Sequence, residues 1–494
     1  MEQKTVSRSE AKIRGKEEKT FMGHPRALAN LFGVEVWERF SFYGMSGILF
    51  IYMYFTPAQG GLGISTVIAT GVVTAYTGGI YFSAVLGAWF ADRVFGSERT
   101  LFYSAIMVMC GHISMALIPG VVGLCIALPL IAMGGGGVKS NASSMVGRLY
   151  QHGDHRRDAG FNIFYMGIYI GAVTGPLLTG LLQVNAGFHY GFGLAAIGMA
   201  FGLAQYIRGR HRLPQESKHA PNPMNAEESK KALITGIVII AALAILFLTK
   251  IFNAGNLDLI MVTASIIVTL ILYRTMLTDK ELTKEEKNKV LSFIPLYITS
   301  AVFWILYYQQ TTVLTLFSDK QLNRDLFGIW TMPISWISSI NPFFVLIMAS
   351  SFAALWDRWG PKQPSAVIKF ASAMLLAGLS FVLFAPIANM QNNTAPLLYV
   401  IFILFILSIA ELLLSPIGLS ISTKLAPAKY KTQMLGVFFL SMSLGTALSG
   451  TVAKTFTEQT AIQYFVVLAT VAAIFGLLLF AVTKKTHQLM GDVR

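Results

Sequence analysis

Fourteen stretches of this chain are apolar over the roughly 20 residues a helix needs to cross a hydrocarbon core. They lie near 28–54, 65–91, 100–118, 121–146, 159–185, 189–207, 232–250, 256–274, 290–317, 332–356, 366–386, 396–422, 432–453 and 462–483. Lipid offers no partner for a backbone N–H or C=O, so such segments cross as helices. Composition agrees. Of 494 residues, 54% are hydrophobic and 13% charged, against about 25% charged in soluble domains. That excludes an ordinary water-facing surface, and with it a disordered chain or a coiled coil. The predicted fold class is an all-α polytopic membrane protein with about 14 transmembrane helices.

The order of polar breaks divides the spans into six, two and six. The predicted organisation is a cytosolic N-terminal tail over 1–25, a six-helix bundle over 26–208, and cytosolic linkers with two extra helices over 209–289. A second six-helix bundle over 290–484 and a short cytosolic tail over 485–494 follow. Residues 1–25 mix Lys4, Arg8, Lys12, Arg14, Lys16 and Lys19 with four glutamates and contain no apolar core of a cleavable leader. Lys or Arg recurs in 92–99, 147–158, 208–231, 274–289, 357–362, 424–431 and 484–494. The stretches 55–64, 186–190, 251–256 and 387–396 have none; Lys320, Arg324 and Lys454 depart from the alternation. Positive charge collects on the cytosolic side of a membrane, so both termini are expected there. The same bias accounts for the net charge of +14 without nucleic acid. Two six-helix bundles joined by a cytosolic linker fit the parallel repeat of a major-facilitator carrier. The inserted pair keeps Lys250, Asp258 and Arg274 near its span ends and is expected to face lipid.

Ionisable side chains inside spans are expensive, at least ~2.5–3.5 kcal/mol each on insertion scales, and usually face a partner or a water-filled cavity. Glu35, Glu38 and Arg39 stand at spacings that share one helix face. Two carboxylates beside an arginine can hold a proton and meet a charged substrate group; the alternative is a structural ion-pair network. Lys139 in the fourth span and Glu411 in the twelfth have no charge nearby in sequence. A cation and a carboxylate in opposite halves suit the two ends of a zwitterion. GGGGVKS around Lys139 fails as a phosphate loop because Val138 precedes the lysine. Asp92, Arg93, Gly96 and Arg99 fall in a tight turn after Gly87, with the spacing of a major-facilitator latch between helices. Pro176, Pro342 and Pro416 interrupt spans and can kink them. Cys110 and Cys125 read as inert small hydrophobes, and His112 as a packed or proton-sensing histidine. His152 and His155 are close in sequence, with no third ligand beside them. No metal spacing, catalytic triad or nucleotide loop is present, so an enzyme is not expected.

The run Glu35-Val36-Trp37-Glu38-Arg39-Phe40-Ser41-Phe42-Tyr43-Gly44 resembles the first-helix signature of the proton-dependent oligopeptide transporters (POT/PTR), within the major facilitator superfamily. Arg156-Arg157-Asp158-Ala159-Gly160-Phe161, continuing to Phe164-Tyr165-Met166-Gly167, resembles the family's second signature. Lys139-Ser140-Asn141 is similar to its fourth-helix motif. Phe303-Trp304, Ile340-Asn341-Pro342 and Ala410-Glu411 through Pro416 are similar to its second half, and bacterial members also carry an inserted helix pair. The resemblance implies import of di- and tripeptides by proton symport, with no cofactor beyond the proton gradient. Its implied partners are small peptides or peptide-like zwitterions, protons and the bilayer, with no nucleic acid. It further implies a monomer in the plasma membrane, bacterial and inner. On that resemblance proton coupling falls to Glu35, Glu38, Arg39 and Lys139. Arg39 and Lys139 meet the peptide carboxylate, and Glu411 with Asn341 meets the amino group. Tyr43, Tyr81, Tyr169, Trp304 and Tyr308 line the cavity. The chain departs from the pattern at four positions. Ser46 stands for an arginine, Tyr308 for a glutamate, Tyr169 for an asparagine and Phe42 for a tyrosine. The missing arginine and glutamate are a pair in the family, so their joint absence strands no charge. A less charged, more aromatic cavity leaves open a second substrate class: an organic anion, an amino-acid conjugate or an antibiotic.

Overall fold

The computed structural model describes residues 20–150, 154, 156–491 and 493. The predicted tail up to residue 19, His152 and His155, and the side chain of Asp158 lie outside the described residues. Fourteen long helices run through the rest, with one short helix continuing the ninth. They are α1 (Arg26–Tyr54), α2 (Thr66–Phe90), α3 (Ser97–Leu117), α4 (Gly120–Arg148), α5 (Arg156–Ala186), α6 (Phe188–Gly209), α7 (Ala226–Leu248) and α8 (Leu257–Thr278). There follow α9 (Lys284–Tyr307), α10 (Val313–Lys320), α11 (Ile337–Trp359), α12 (Ala366–Phe384), α13 (Leu397–Lys424), α14 (Lys431–Ala453) and α15 (Ala461–Met490). A two-residue hairpin, β1 (Asp325–Leu326) with β2 (Trp330–Thr331), joins α10 to α11. Thirteen of the helices are long and apolar enough to cross a membrane by length and composition. α1 is the exception, because three charges crowd its middle. The protein is a multi-pass membrane protein.

Short connections make the helices antiparallel in sequence order, so the start of α1 and the end of α15 lie at one end of the molecule. We call it the terminal end. One apolar core lies mainly within α1–α6 and a second within α8–α15. Glycines set the closest approaches in the first. Gly134 and Gly137 of α4 lie against Ser104 of α3, and Gly136 against Ser83 of α2; a Cβ at any of the three would collide with those neighbours. The four-glycine run is thus a packing strip wedged between two helices, as small-residue stripes are in membranes.

The two sets of helices meet along α2 with α14 and along α5 with α11. The α5–α11 hydrogen bonds gather towards the end opposite the termini. Ser335 and Trp336, just before α11, donate to the carbonyls of Pro176 (3.2 Å) and Leu177 (2.9 Å), and Ser339 donates to that of Val173 (2.9 Å). Tyr54 at the end of α1 donates to Asp319 of α10 at 2.9 Å. These contacts seal that end. Towards the terminal end, α11 has no buried residue after Val345 among the described residues.

The inserted pair departs from expectation in one half. α7 has no buried residue and faces lipid. α8 does not: it fills the seam between α2 and α14. Asp258, 0% exposed, takes both carboxylate oxygens to within 2.6 and 2.7 Å of the Lys454 ammonium and accepts from Thr451 at 3.0 Å. Ser265 bonds Ser443 at 2.9 Å, and Ser443 donates to the Gly78 carbonyl of α2 at 2.8 Å. A serine relay therefore ties inserted helix, second bundle and first bundle together. The correction has a simple cause: Asp258 is near a span end in sequence, but its partner Lys454 lies 196 positions on.

Breaking a buried pair by removing one partner costs about 3–5 kcal/mol, because the other charge is left unpaired. Asp258→Ala is therefore expected to lower the thermal unfolding midpoint in detergent, followed by tryptophan fluorescence. Adding Lys454→Met to the same chain should recover most of the loss.

Candidate functional site

On α1, the Arg39 guanidinium Nε lies 2.8 Å from Glu35 Oε1 and 2.9 Å from Glu38 Oε2. All three side chains are at most 4% exposed. The helix supplies this geometry directly, since i, i+3 and i+4 share a face. Glu35 Oε2 and Arg39 Nη2 have no partner, so the cluster keeps unused bonding capacity. Gly135 of α4 lies beside the Glu38 carboxylate.

Lys139 extends from the same α4 with its ammonium 4.2 Å from the centre of the Tyr81 ring and 5.9 Å from that of Phe439. It makes no ion pair among the described residues. Its charged neighbours are Arg39, Glu35, Glu38 and Glu411. Glu411, 7% exposed on α13, also stands without an ion pair, beside Tyr307 and Asn341. Tyr307 donates to the Asn341 carbonyl oxygen at 3.0 Å, leaving the Asn341 amide nitrogen and Glu411 Oε2 unpaired. Tyr43, Tyr81 and Tyr169 adjoin Glu411 as well. Trp304 packs edge-on against Tyr307 at 5.0 Å, and its indole nitrogen is unpaired. Charges from α1, α4 and α13 thus come together in one buried aromatic cluster, with unpaired hydrogen-bonding atoms from both bundles.

A broken helix borders that cluster. α9 ends at Tyr307, tightens into a 3₁₀ turn over Tyr308–Thr311, and resumes as α10 after Thr312 leaves helical angles. Tyr308, at the break, shares a 2.5 Å hydrogen bond with Tyr81 of α2. This is a link between the two bundles at the cluster itself.

The family model PTR2, described as the POT family, matches residues 98–480. The chain belongs to the POT family. It is 37% identical to a di-/tripeptide transporter of Lactococcus lactis subsp. cremoris, over 97% of this chain and 99% of the relative. It superposes on a mutant of the peptide transporter POT crystallised with alafosfalin, at a TM-score of 0.89 and 38% identity, covering 96% and 98% of the two chains. A POT family transporter crystallised with 5-aminolevulinic acid matches at a TM-score of 0.89 and 36% identity, over 95% and 98%.

Of the departures from the family pattern in this POT member, Tyr308 bonds Tyr81, while the Ser46 hydroxyl lies near that of Tyr76 without a hydrogen-bond partner among the described residues. The turn after α2 is held from an unexpected side. Asp92 faces Thr432 of α14 and Arg148. Arg93 pairs with Glu228 of α7 at 2.8 Å, and the carbonyls of Asp92 and Arg93 accept from Asn222 and Met224, each at 3.1 Å. Gly96 has φ +80°, and a Cβ there would strike the backbone at Lys218 and His219. Arg99 points outward and is exposed. Its neighbour Glu98 is the buried one, clamped by Arg210 at 2.8 and 3.0 Å and by Tyr206 at 3.2 Å.

Three residues of the structure were missed in the sequence. Tyr307 follows Trp304 at i+3, the spacing that shares a face. Gln309 is anchored by the Tyr464 hydroxyl at 2.7 Å and donates to the Ser449 carbonyl at 3.3 Å. Glu98 stands at i−3 from the apolar Leu101, which marks it as inward. His112 is fully buried with both ring nitrogens unpaired. Cys110 and Cys125 are exposed and free.

Arg39→Met leaves two carboxylates buried without their cation. Its expected cost is about 3–5 kcal/mol, read as a lower unfolding midpoint and poorer yield. Glu35→Gln and Glu38→Gln placed in the same chain should restore the midpoint.

Proposed function

We propose that this protein is a proton-coupled symporter that imports di- and tripeptides, or peptide-like zwitterions, by alternating access. The observation that supports this reading is the pair of opposite charges without an ion-pair partner, Lys139 and Glu411, buried near one another from opposite bundles. Lys139 takes the peptide carboxylate, helped by Arg39. Glu411 takes the amino group, with Asn341 and Tyr307 beside it. Tyr43, Tyr81, Tyr169, Trp304 and Tyr308 provide aromatic walls that tolerate varied side chains.

Charge balance gives the coupling. Three carboxylates (Glu35, Glu38, Glu411) against two cations (Arg39, Lys139) leave the chamber with one excess negative charge. A zwitterion adds none. One proton on the Glu35–Glu38 pair therefore neutralises the loaded chamber, and a neutral chamber reorients through low dielectric at least cost. Lys139 senses that proton through its proximity to the pair.

The Asp92–Arg93–Gly96–Arg99 turn would act as the latch at the terminal end, with Asp92 set against the first turn of α14. By the distribution of Lys and Arg, that end faces the cytosol. We place the protein in a bacterial inner membrane, as a monomer. Solved relatives crystallised with alafosfalin and 5-aminolevulinic acid favour extending the substrate range to peptide-like zwitterions.

In proteoliposomes, dialanine uptake should require an inward proton gradient and stop with a protonophore. Lys139→Ala should cut uptake by thirtyfold or so, the effect of losing about 2 kcal/mol of a buried charge contact. Glu38→Gln should abolish gradient-driven uptake while keeping dialanine counterflow. Uptake that ignores the gradient in the native chain would refute the symport reading.

A further inference from the structure

A charged pocket lies at the end opposite the termini, away from Lys139 and Glu411. Half-open and about 210 Å³ in volume, it lies between Ile51 of α1 and the following Phe55, Gln183 and Val184 of α5, Asp319 of α10, Arg324, and the segment Thr331 to Ile334. That is the volume of about seven liquid waters. Two opposite charges face it. The Asp319 carboxylate is fixed by the Tyr54 hydroxyl at 2.9 Å. The Arg324 guanidinium is held by one bond, from Nη1 to the Met332 carbonyl at 2.8 Å, and its buried Nε has no partner. The two charges are close enough to feel each other, yet among the described residues they form no ion pair. Burial of Arg324 disfavours its charge and Asp319 supports it.

Opposite charges that approach without touching are unusual in a partly buried place, because closing the gap would gain Coulomb energy. Here each is held back: Asp319 by α1 through Tyr54, Arg324 by the hairpin through Met332. The gap is walled by apolar side chains, one amide, Gln183, and one hydroxyl residue, Thr331. That is a receptor for a small group carrying both signs of charge.

We propose that this cavity is an outer binding site for a small zwitterion, an α-amino acid or the end of a short peptide. Arg324 Nε takes the carboxylate, and Asp319 takes the ammonium. The site rests on the hairpin and α10 and does not require the central charges. It is separated from the chamber by the Ser335, Trp336 and Ser339 hydrogen bonds to α5. If the chain is a peptide importer, this is where a substrate waits while the outer end is shut.

A reporter at the rim tests it. Val184 lines the cavity and is 55% exposed. A full-length protein with Cys110→Ser, Cys125→Ser and Val184→Cys is labelled with an environment-sensitive fluorophore and titrated with dialanine. The expected result is a saturable change that persists in Glu411→Gln and weakens at least tenfold in Arg324→Gln and in Asp319→Asn. N-acetylalanine, which lacks the ammonium, and alaninamide, which lacks the carboxylate, should each bind at least tenfold more weakly. Free alanine separates the two ligand sources: binding equal to dialanine means an amino-acid site, weaker binding a peptide site. Unfolding midpoints and Arg324→Lys, expected to keep part of the binding, distinguish lost recognition from lost folding. The proposal falls if dialanine gives no signal, if Arg324→Gln binds like the parent, or if Glu411→Gln abolishes the response. Because the readout is binding, it stands or falls independently of uptake in proteoliposomes.

Discussion

A charge inside an oily bundle must be paired or must face water, and the arrangement of this protein follows from how each charge meets that demand. Asp258 and Lys454 meet it by direct pairing at the seam. Glu98 and Arg210 do so at the terminal end. Glu35, Glu38 and Arg39 meet it within one helix face, with an imbalance of one carboxylate. Lys139 and Glu411 do not pair at all. Lys139 and Glu411 mark the candidate site, because an unpaired charge deep in the bundle is best tolerated where water or a substrate replaces the partner. The structural ion pairs hold the bundles in shape; the two unpaired residues are left free to bind.

Packing supplies what the charges need. Glycines before Lys139 let α4 lie against both α2 and α3, and a side chain at Gly134, Gly136 or Gly137 would force those helices apart. Movement is provided for differently. The α5–α11 contacts opposite the termini are single hydrogen bonds from Ser335, Trp336 and Ser339 to backbone carbonyls, each worth about 1 kcal/mol net. Such bonds break and re-form without stranding a charge, as a rocking interface requires.

The helices were legible because lipid forces a one-to-one relation between a long apolar run and a spanning helix. α1 was legible despite its charges, since their spacing places them on one face. The candidate charged residues stood out because intramembrane charge is rare. What the sequence hid were distances across the chain. Nothing near Asp258 announces Lys454, so a seam helix read as a lipid-facing one, while α7, with no inward polar residue at all, read correctly. Arg99 drew attention as a charge in a turn, yet the buried member is Glu98, because the helical phase set by Leu101 and Ala105 turns Glu98 inward. The helix break at Tyr308–Thr311 carries no proline or glycine, and so had no local signal.

Tyr81 and Tyr308 give the clearest view of how the departures from the family pattern fit together. A tyrosine pair now bridges the bundles where a glutamate stands in the family. Opening a neutral hydrogen bond costs about 1 kcal/mol, whereas separating a buried ion pair and leaving each charge alone costs about 3–5 kcal/mol. A chamber closed by tyrosines opens more easily, but its closure cannot report protonation, since neither hydroxyl ionises near neutral pH. Any proton sensing must then come from groups that still change charge, and within the chamber those are Glu35, Glu38, Lys139 and Glu411. Glu35 and Glu38 share Arg39 on α1, and Lys139 lies within their field from α4. On the proposed reading, coupling would then concentrate in the first bundle, with Glu411 of the second as the ligand for the ammonium.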